Sequence, residues 1–241
     1  MVADKQIEEF VKRLRESAGE NLRSVIVYGS AATDEFHPEF SDINLFCVLR
    51  DSSFAGLQAM SPAVSWWVKN RQPAPLCMTQ EELSRSSDVF TIELMDMQQH
   101  HRVVYGEDVL STVTLQPRYH RVQVEYELRE KLLLLRQHFL SAAGDESKIW
   151  QLLTQSVSSF VTLFRHALIV MGQPALVNKR EVVKTLATKL AFDPSGFLSV
   201  IDVREGKANR RTINTREVSS RYLAAVEQVT AAVDKMLDSE Q

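Results

Sequence analysis

Cysteine is nearly absent: two residues, Cys47 and Cys77, are all that the 241-residue chain contains, which excludes the disulfide frameworks of small secreted domains. Cys47 sits inside a strand-like run, both read as small buried apolar groups, and the sparse usage suits a reducing cytoplasm. No apolar run approaches the ~18 residues that suggest a membrane span, and the opening MVADKQIEEF lacks a signal peptide's charged start and apolar stretch. The expectation is therefore a cytoplasmic protein without a membrane partner. Positive charge is not in excess either. With 28 Lys and Arg against 31 Asp and Glu the formal net charge is -3, so no global basic field recruits nucleic acid. Internal repeats at periods of 20 to 50 residues and low-complexity tracts are missing as well.

What is present is apolar content of 44%, enough for a large core in one large or two small domains. The first half mixes helix and strand. Ile7, Phe10, Val11 and Leu14 fall at helical spacing with Gly19 as a stop, which predicts a helix over about 4–17. The runs 22-LRSVIVY-28 and 42-DINLFCVL-49 predict buried strands. A helix is expected over 64-VSWWVK-69 after Pro62, with Trp66 and Trp67 as packing residues, then a short strand at 76-LCM-78. Thr79 and Glu82 have the spacing of a capping box. The run 89-VFTIELM-95 is expected to be a strand carrying Glu93, and 103-VVYGED-108 a short extended piece. The second half is helical almost throughout, with amphipathic segments at 118–142, 146–171, about 179–190, 194–204 and 215–237, and helices of this size pack as a bundle. The fold class that follows is α+β, a small mixed sheet over residues 1–112 and a helical bundle over 113–241, with the boundary within 108-DVLSTVTLQP-117.

Chemistry concentrates between the first two strands. Gly29-Ser30 closes one strand-like run and Asp42-Ile43-Asn44 opens the next. Side chains two apart on a strand share a face, so Asp42 and Asn44 project together while Ile43 and Leu45 point away. Two oxygen-bearing side chains one loop from a Gly-Ser turn suit a hard cation and a phosphate. Magnesium takes carboxylates plus phosphate oxygens, and glycine lets backbone amides and the Ser30 hydroxyl approach the phosphate.

The run 25-VIVYGSAATDEFHPEFSDINLFCVL-49 resembles the signature of the nucleotidyltransferase superfamily, in which G-S, a loop and D-x-D on a strand bind a nucleoside triphosphate and metal. A sheet domain followed by a helical bundle is similar to the aminoglycoside nucleotidyltransferases and their bacterial relatives, whose bundle supplies the acceptor's half of the cleft. The resemblance implies that Gly29 and Ser30 hold the triphosphate, and that Asp42, position 44 and a third acid, for which Glu93 is the candidate, bind magnesium. Glu93 would be ligand or general base. The implied partners are a nucleoside triphosphate and a small-molecule or protein acceptor. The departure is Asn44, which stands where the family carries its second aspartate. It leaves two carboxylates instead of three, lowering metal affinity. Two functions follow from it: transfer of a nucleoside monophosphate to an acceptor hydroxyl, or a nucleotide-binding or regulatory module without turnover.

Other polar clusters have plain structural readings. His100 and His101 beside Arg102 would point about 100° apart on a helix and not both face one ion, which favours structural or solvated roles over metal or phosphate binding by one of them. Arg165-His166 borders an apolar stripe, as a packing or capping pair would. The basic loop 204-REGKANRR-211, with Lys179, Arg180 and Lys184, is a solvated charge run unless it covers a triphosphate.

Overall fold

The structure is a computed structural model that describes residues 2–32 and 42–238. It divides into two compact units, Met1–Gln116 and Pro117–Gln241.

In the first unit, α1 (Val2–Ala18) leads into β1 (Leu22–Tyr28), and β2 (Asn44–Leu49) returns antiparallel beside it. Helix α2 (Phe54–Lys69) connects to β3 (Leu76–Thr79), which runs parallel to β2. The short α3 (Gln80–Arg85) and α4 (Thr91–Gln99) lead to β4 (His101–Gly106), antiparallel to the free side of β1. The sheet order is β3-β2-β1-β4. Both faces are covered, which explains why β1 and β2 read as continuous apolar runs instead of alternating ones. On the first face Val25, Val27, Leu45, Cys47 and Leu49 pack with Ile7, Phe10 and Leu14 of α1 and Met60, Ala63 and Trp67 of α2. On the second face Ile26, Phe46 and Val48 meet Leu83 of α3, Leu94 and Met97 of α4, and Val109 and Leu110 beyond β4. Phe10 and Trp67 are fully buried and stack with ring centroids 4.5 Å apart. Burying each such ring stabilises by about 3 kcal/mol, so Trp67 is a packing residue.

Two expectations about local structure are corrected. Helix α2 begins at Phe54, well before Pro62, which lies inside it. Ser53 caps it by accepting a hydrogen bond from the Gly56 amide, and burial of Met60, Ala63 and Trp67 offsets the ~3 kcal/mol that an interior proline costs. The second correction concerns residues 89–95. They are not a strand: Thr91 starts α4, with Glu93 in its first turn. The Phe90, Ile92, Leu94 alternation imitates a strand, yet α4 buries Thr91, Leu94 and Met97, each three apart, together with Ile92.

The capping box at Thr79 is present. Its hydroxyl accepts from the Glu82 amide at 3.1 Å and its amide donates to the Glu82 carboxylate at 2.6 Å. These bonds, with one from Ser52, hold the Glu82 carboxyl below the usual range.

The second unit consists of α5 (Pro117–Ala142), α6 (Glu146–Val170), α7 (Lys179–Leu190), α8 (Ser195–Arg204) and α9 (Thr215–Asp238). Its core holds a cluster of aromatic rings. Phe197 stacks on Tyr222 at 4.0 Å, and Phe160 meets both edge-on. The buried polar atoms among them are paired: Trp150 Nε1 donates to Thr215 Oγ1 at 3.0 Å, and the Tyr222 hydroxyl lies 3.1 Å from Ser156 Oγ. His166 is fully buried on α6, its Nδ1 2.8 Å from His120 Nε2 on α5, so it is a core residue bridging two helices.

Candidate functional site

At one end of the sheet three strands finish in a row of polar side chains. Tyr28, the last residue of β1, pairs with Asn44 on β2 and with His101 on β4. Directly opposed residues in antiparallel strands share a face, with Cβ atoms roughly 5 Å apart, so Asn44, Tyr28 and His101 lie side by side on the second face of the sheet. The chain leaves Tyr28 at Gly29, whose φ is +71°, and winds into a 3-10 turn over Gly29–Ala32. A left-handed backbone is where glycine avoids a Cβ penalty. A Cβ at Gly29 would sit 3.6 Å from Asn44 Nδ2. Two of the residues expected at the site are thus in direct proximity. The Ser30 side chain lies outside the described residues.

Asp42 precedes β2 and is exposed. Ile43 extends the alternation of the strand, fully buried with Leu45 and Cys47 on the first face, so Asp42 falls on Asn44's side. The Ile43 amide is fixed by donating to Gln72 Oε1 at 2.8 Å. Glu93 arrives differently from the expectation, on a helix. Because its neighbour Leu94 packs on the second face, α4 covers the side of the sheet that carries Asn44, and Glu93 is exposed on that helix. Its position in the first turn of α4 also gives it a structural use, since carboxylates are favoured near helix N-termini. No group of three or more His, Cys, Asp or Glu side chains disposed to hold a metal occurs among the described residues. Among the described residues the Asn44 side chain is the one that lies against the Gly29 turn, and Asp42 stands two residues before it; a carboxylate and an amide carbonyl are oxygen donors of the kind a hard ion takes.

Sequence reasoning did not single out Tyr28, and it weighed His101 as a structural or solvated residue against a metal or phosphate role. Tyr28 is partly buried, and burial raises its phenol pKa, keeping the hydroxyl a donor. His101, expected on a helix, is the first residue of β4; its Nε2 lies 3.1 Å from Asp108 Oδ1. Asp108 is further held by Ser111, whose hydroxyl donates to Oδ2 at 2.5 Å and whose amide donates to Oδ1 at 3.2 Å. Burial works against ionisation of Asp108, but the hydrogen bonds from Ser111 and His101 outweigh it and hold the carboxyl below the usual range. The signal for Tyr28 was its place beside the Gly-Ser pair. Nothing in the sequence placed His101 beside Tyr28, because that pairing depends on the register of β4. Arg102 points elsewhere and binds Asp4 on α1 at 2.9 Å.

In the second unit three cations in and near the basic loop are engaged internally. Arg180 binds Asp202 and Glu205 at 2.8 and 2.6 Å, Lys207 binds Glu205 at 2.6 Å, and Arg204 donates to Ser158 Oγ at 2.5 Å. These contacts form a network tying α7 and α6 to the end of α8, while Lys184, Arg210 and Arg211 are exposed.

Residues 5–97 match the family model described as nucleotidyltransferase domain. Among solved structures, the crystal structure of spectinomycin adenyltransferase AAD(9) from Enterococcus faecialis with ATP and spectinomycin is similar in fold. The TM-score is 0.58 at 16% identity, covering 93% of this chain and 98% of that one. No curated protein matches the sequence.

Proposed function

We propose, from an N-terminal unit that belongs to the nucleotidyltransferase superfamily, that this protein binds a nucleoside triphosphate at the Gly29 turn and transfers its nucleoside monophosphate to a hydroxyl of a small-molecule or protein acceptor. The observation that carries the proposal is the approach of Gly29 to Asn44, with a backbone turn at positive φ lying against the side chain two residues after Asp42. Gly29 and Ser30 would receive the phosphates, and Tyr28, a phenol kept protonated by burial, would donate a hydrogen bond to one of them. Asp42 and the Asn44 carbonyl would hold magnesium, which would supply charge neutralisation to the leaving pyrophosphate. Glu93 would accept the acceptor hydroxyl's proton as its oxygen bonds to the α-phosphorus and pyrophosphate departs. ATP is the first nucleotide to test, since the adenyltransferase of similar fold was crystallised with it.

A second reading, nucleotide binding without turnover, is favoured by Asn44. With a neutral amide at that position the cluster lacks one anionic ligand, and negative ligand charge is what lets a pair of metal ions gather around transferring phosphate. Pyrophosphate release separates the two. Transfer predicts magnesium-dependent release from ATP in the presence of hydroxyl-bearing acceptors, abolished by Asp42→Ala. Release at background with every acceptor, alongside retained ATP binding, would leave the binding module.

A further inference from the structure

The two cysteines are not independent. Strands β2 and β3 pair in parallel with Cys47 opposite Cys77, and both side chains belong to the first face, Cys47 inside its core and Cys77 packed against it. Neighbouring strands are about 4.8 Å apart, and disulfides form across Cα separations of roughly 4.4–6.8 Å. The pair is therefore within bonding range with both Cβ atoms on one side. Their surroundings differ sharply. Cys47 is fully buried, whereas Cys77 is half-buried in the wall of a groove of about 510 Å³ lined by Leu57, Met60, Val64, Val68 and Lys69. The Cys77 thiol donates to the Pro75 carbonyl oxygen at 3.7 Å.

We propose that Cys77 is a peroxide-reactive thiol and Cys47 its resolving partner, so that oxidation links β2 to β3 by an intramolecular disulfide. The hydrogen bond from the Cys47 thiol holds Cys77 below the usual thiol range against the opposing effect of burial. The same bond, together with burial, pushes Cys47 up. Of the two sulfurs the accessible one is thus the one that ionises more readily, and the ionised form is the one that attacks. In the first step the Cys77 thiolate attacks the terminal oxygen of a hydroperoxide; the O–O bond breaks, the sulfur becomes a sulfenic acid, and the remaining oxygen leaves as alcohol or water after taking a proton. In the second, the Cys47 sulfur displaces that hydroxyl, which departs as water with the Cys47 proton. One peroxide is reduced by two electrons and two thiols are oxidised to one disulfide.

The test is intact-mass and peptide-map analysis of the full chain titrated with hydrogen peroxide. The expected result is loss of two hydrogens from the wild type, a Cys47–Cys77 linked peptide, and reversal by dithiothreitol. In Cys47→Ala, Cys77 should instead accumulate as sulfenic acid captured by a cyclic 1,3-diketone, and Cys77→Ser should take up neither trap nor cross-link. The proposal is overturned if Cys77 passes to sulfinic acid in the wild type without linking, if the bond forms between two chains, or if native alkylation labels Cys47 before Cys77. Should Cys47→Ala fail to fold, the wild-type map alone decides. None of these outcomes depends on nucleotide binding.

Discussion

Asn44 is the residue on which the chemistry turns. Replacing it with aspartate adds a charge to a site that already has Asp42 on the same side of the sheet. A divalent ion about 4 Å from the new carboxylate gains ~2 kcal/mol even at the dielectric of water, roughly thirtyfold in affinity. Magnesium titration of Asn44→Asp against wild type is expected to show tightening of that order, with some loss of metal-free stability because like charges repel. Unchanged affinity would mean that position 44 faces no cation. Gly29→Ala is a separate probe. The space at 3.6 Å from Asn44 is ordinary contact, so the cost comes from the left-handed backbone, about 1–2 kcal/mol, and should appear as a lower melting temperature together with weaker nucleotide binding. At Asp108 the folded carboxyl titrates lower than the unfolded one. Its contribution to stability is therefore fully present above the ordinary carboxylate value near pH ~4 and is lost as pH falls through the depressed folded value. Asp108→Asn should flatten that part of the stability-versus-pH curve; an unaltered acid limb would show that Ser111 and His101 do not bind it in solution.

At the scale of elements, helix ends and close approaches set the tolerances. Thr79→Ala removes the hydroxyl that caps α3 and should cost about 1 kcal/mol in thermal unfolding, whereas Thr79→Ser should cost much less. Gly196 in α8 is a tighter constraint, because a Cβ there would lie 2.6 Å from the Tyr222 backbone nitrogen of α9. The clash is with backbone, so the helices must separate. Gly196→Ala should destabilise by roughly 1–3 kcal/mol despite alanine's better helix propensity. The long helices were readable from sequence because each carries several turns of apolar periodicity with a Gly, Pro or polar cap at its end. The stretch around Glu93 was not. Nine residues of α4 bury only one short stripe, and a run that alternates over five residues fits strand and helix alike. That ambiguity moved Glu93 onto the wrong element, although α4 does cover the face that carries Asn44.

For the molecule as a whole, the α+β order, a small mixed sheet followed by helices, was legible in composition and period. The pairing of Tyr28 with both Asn44 and His101 was not, since strand order and register are set by long-range packing on two faces. That pairing brings a phenol, an amide and an imidazole to the sheet end beside the Gly29 turn. No helix among the described residues is long and apolar enough to cross a membrane. The central claim is that this sheet end binds a nucleoside triphosphate, and calorimetric titration with ATP, GTP, CTP and UTP, each with and without magnesium, tests it most directly. The account predicts saturable binding of at least one triphosphate, strengthened by magnesium and lost in Asp42→Ala. Absence of binding by all four, or binding indifferent to both magnesium and Asp42, would contradict it.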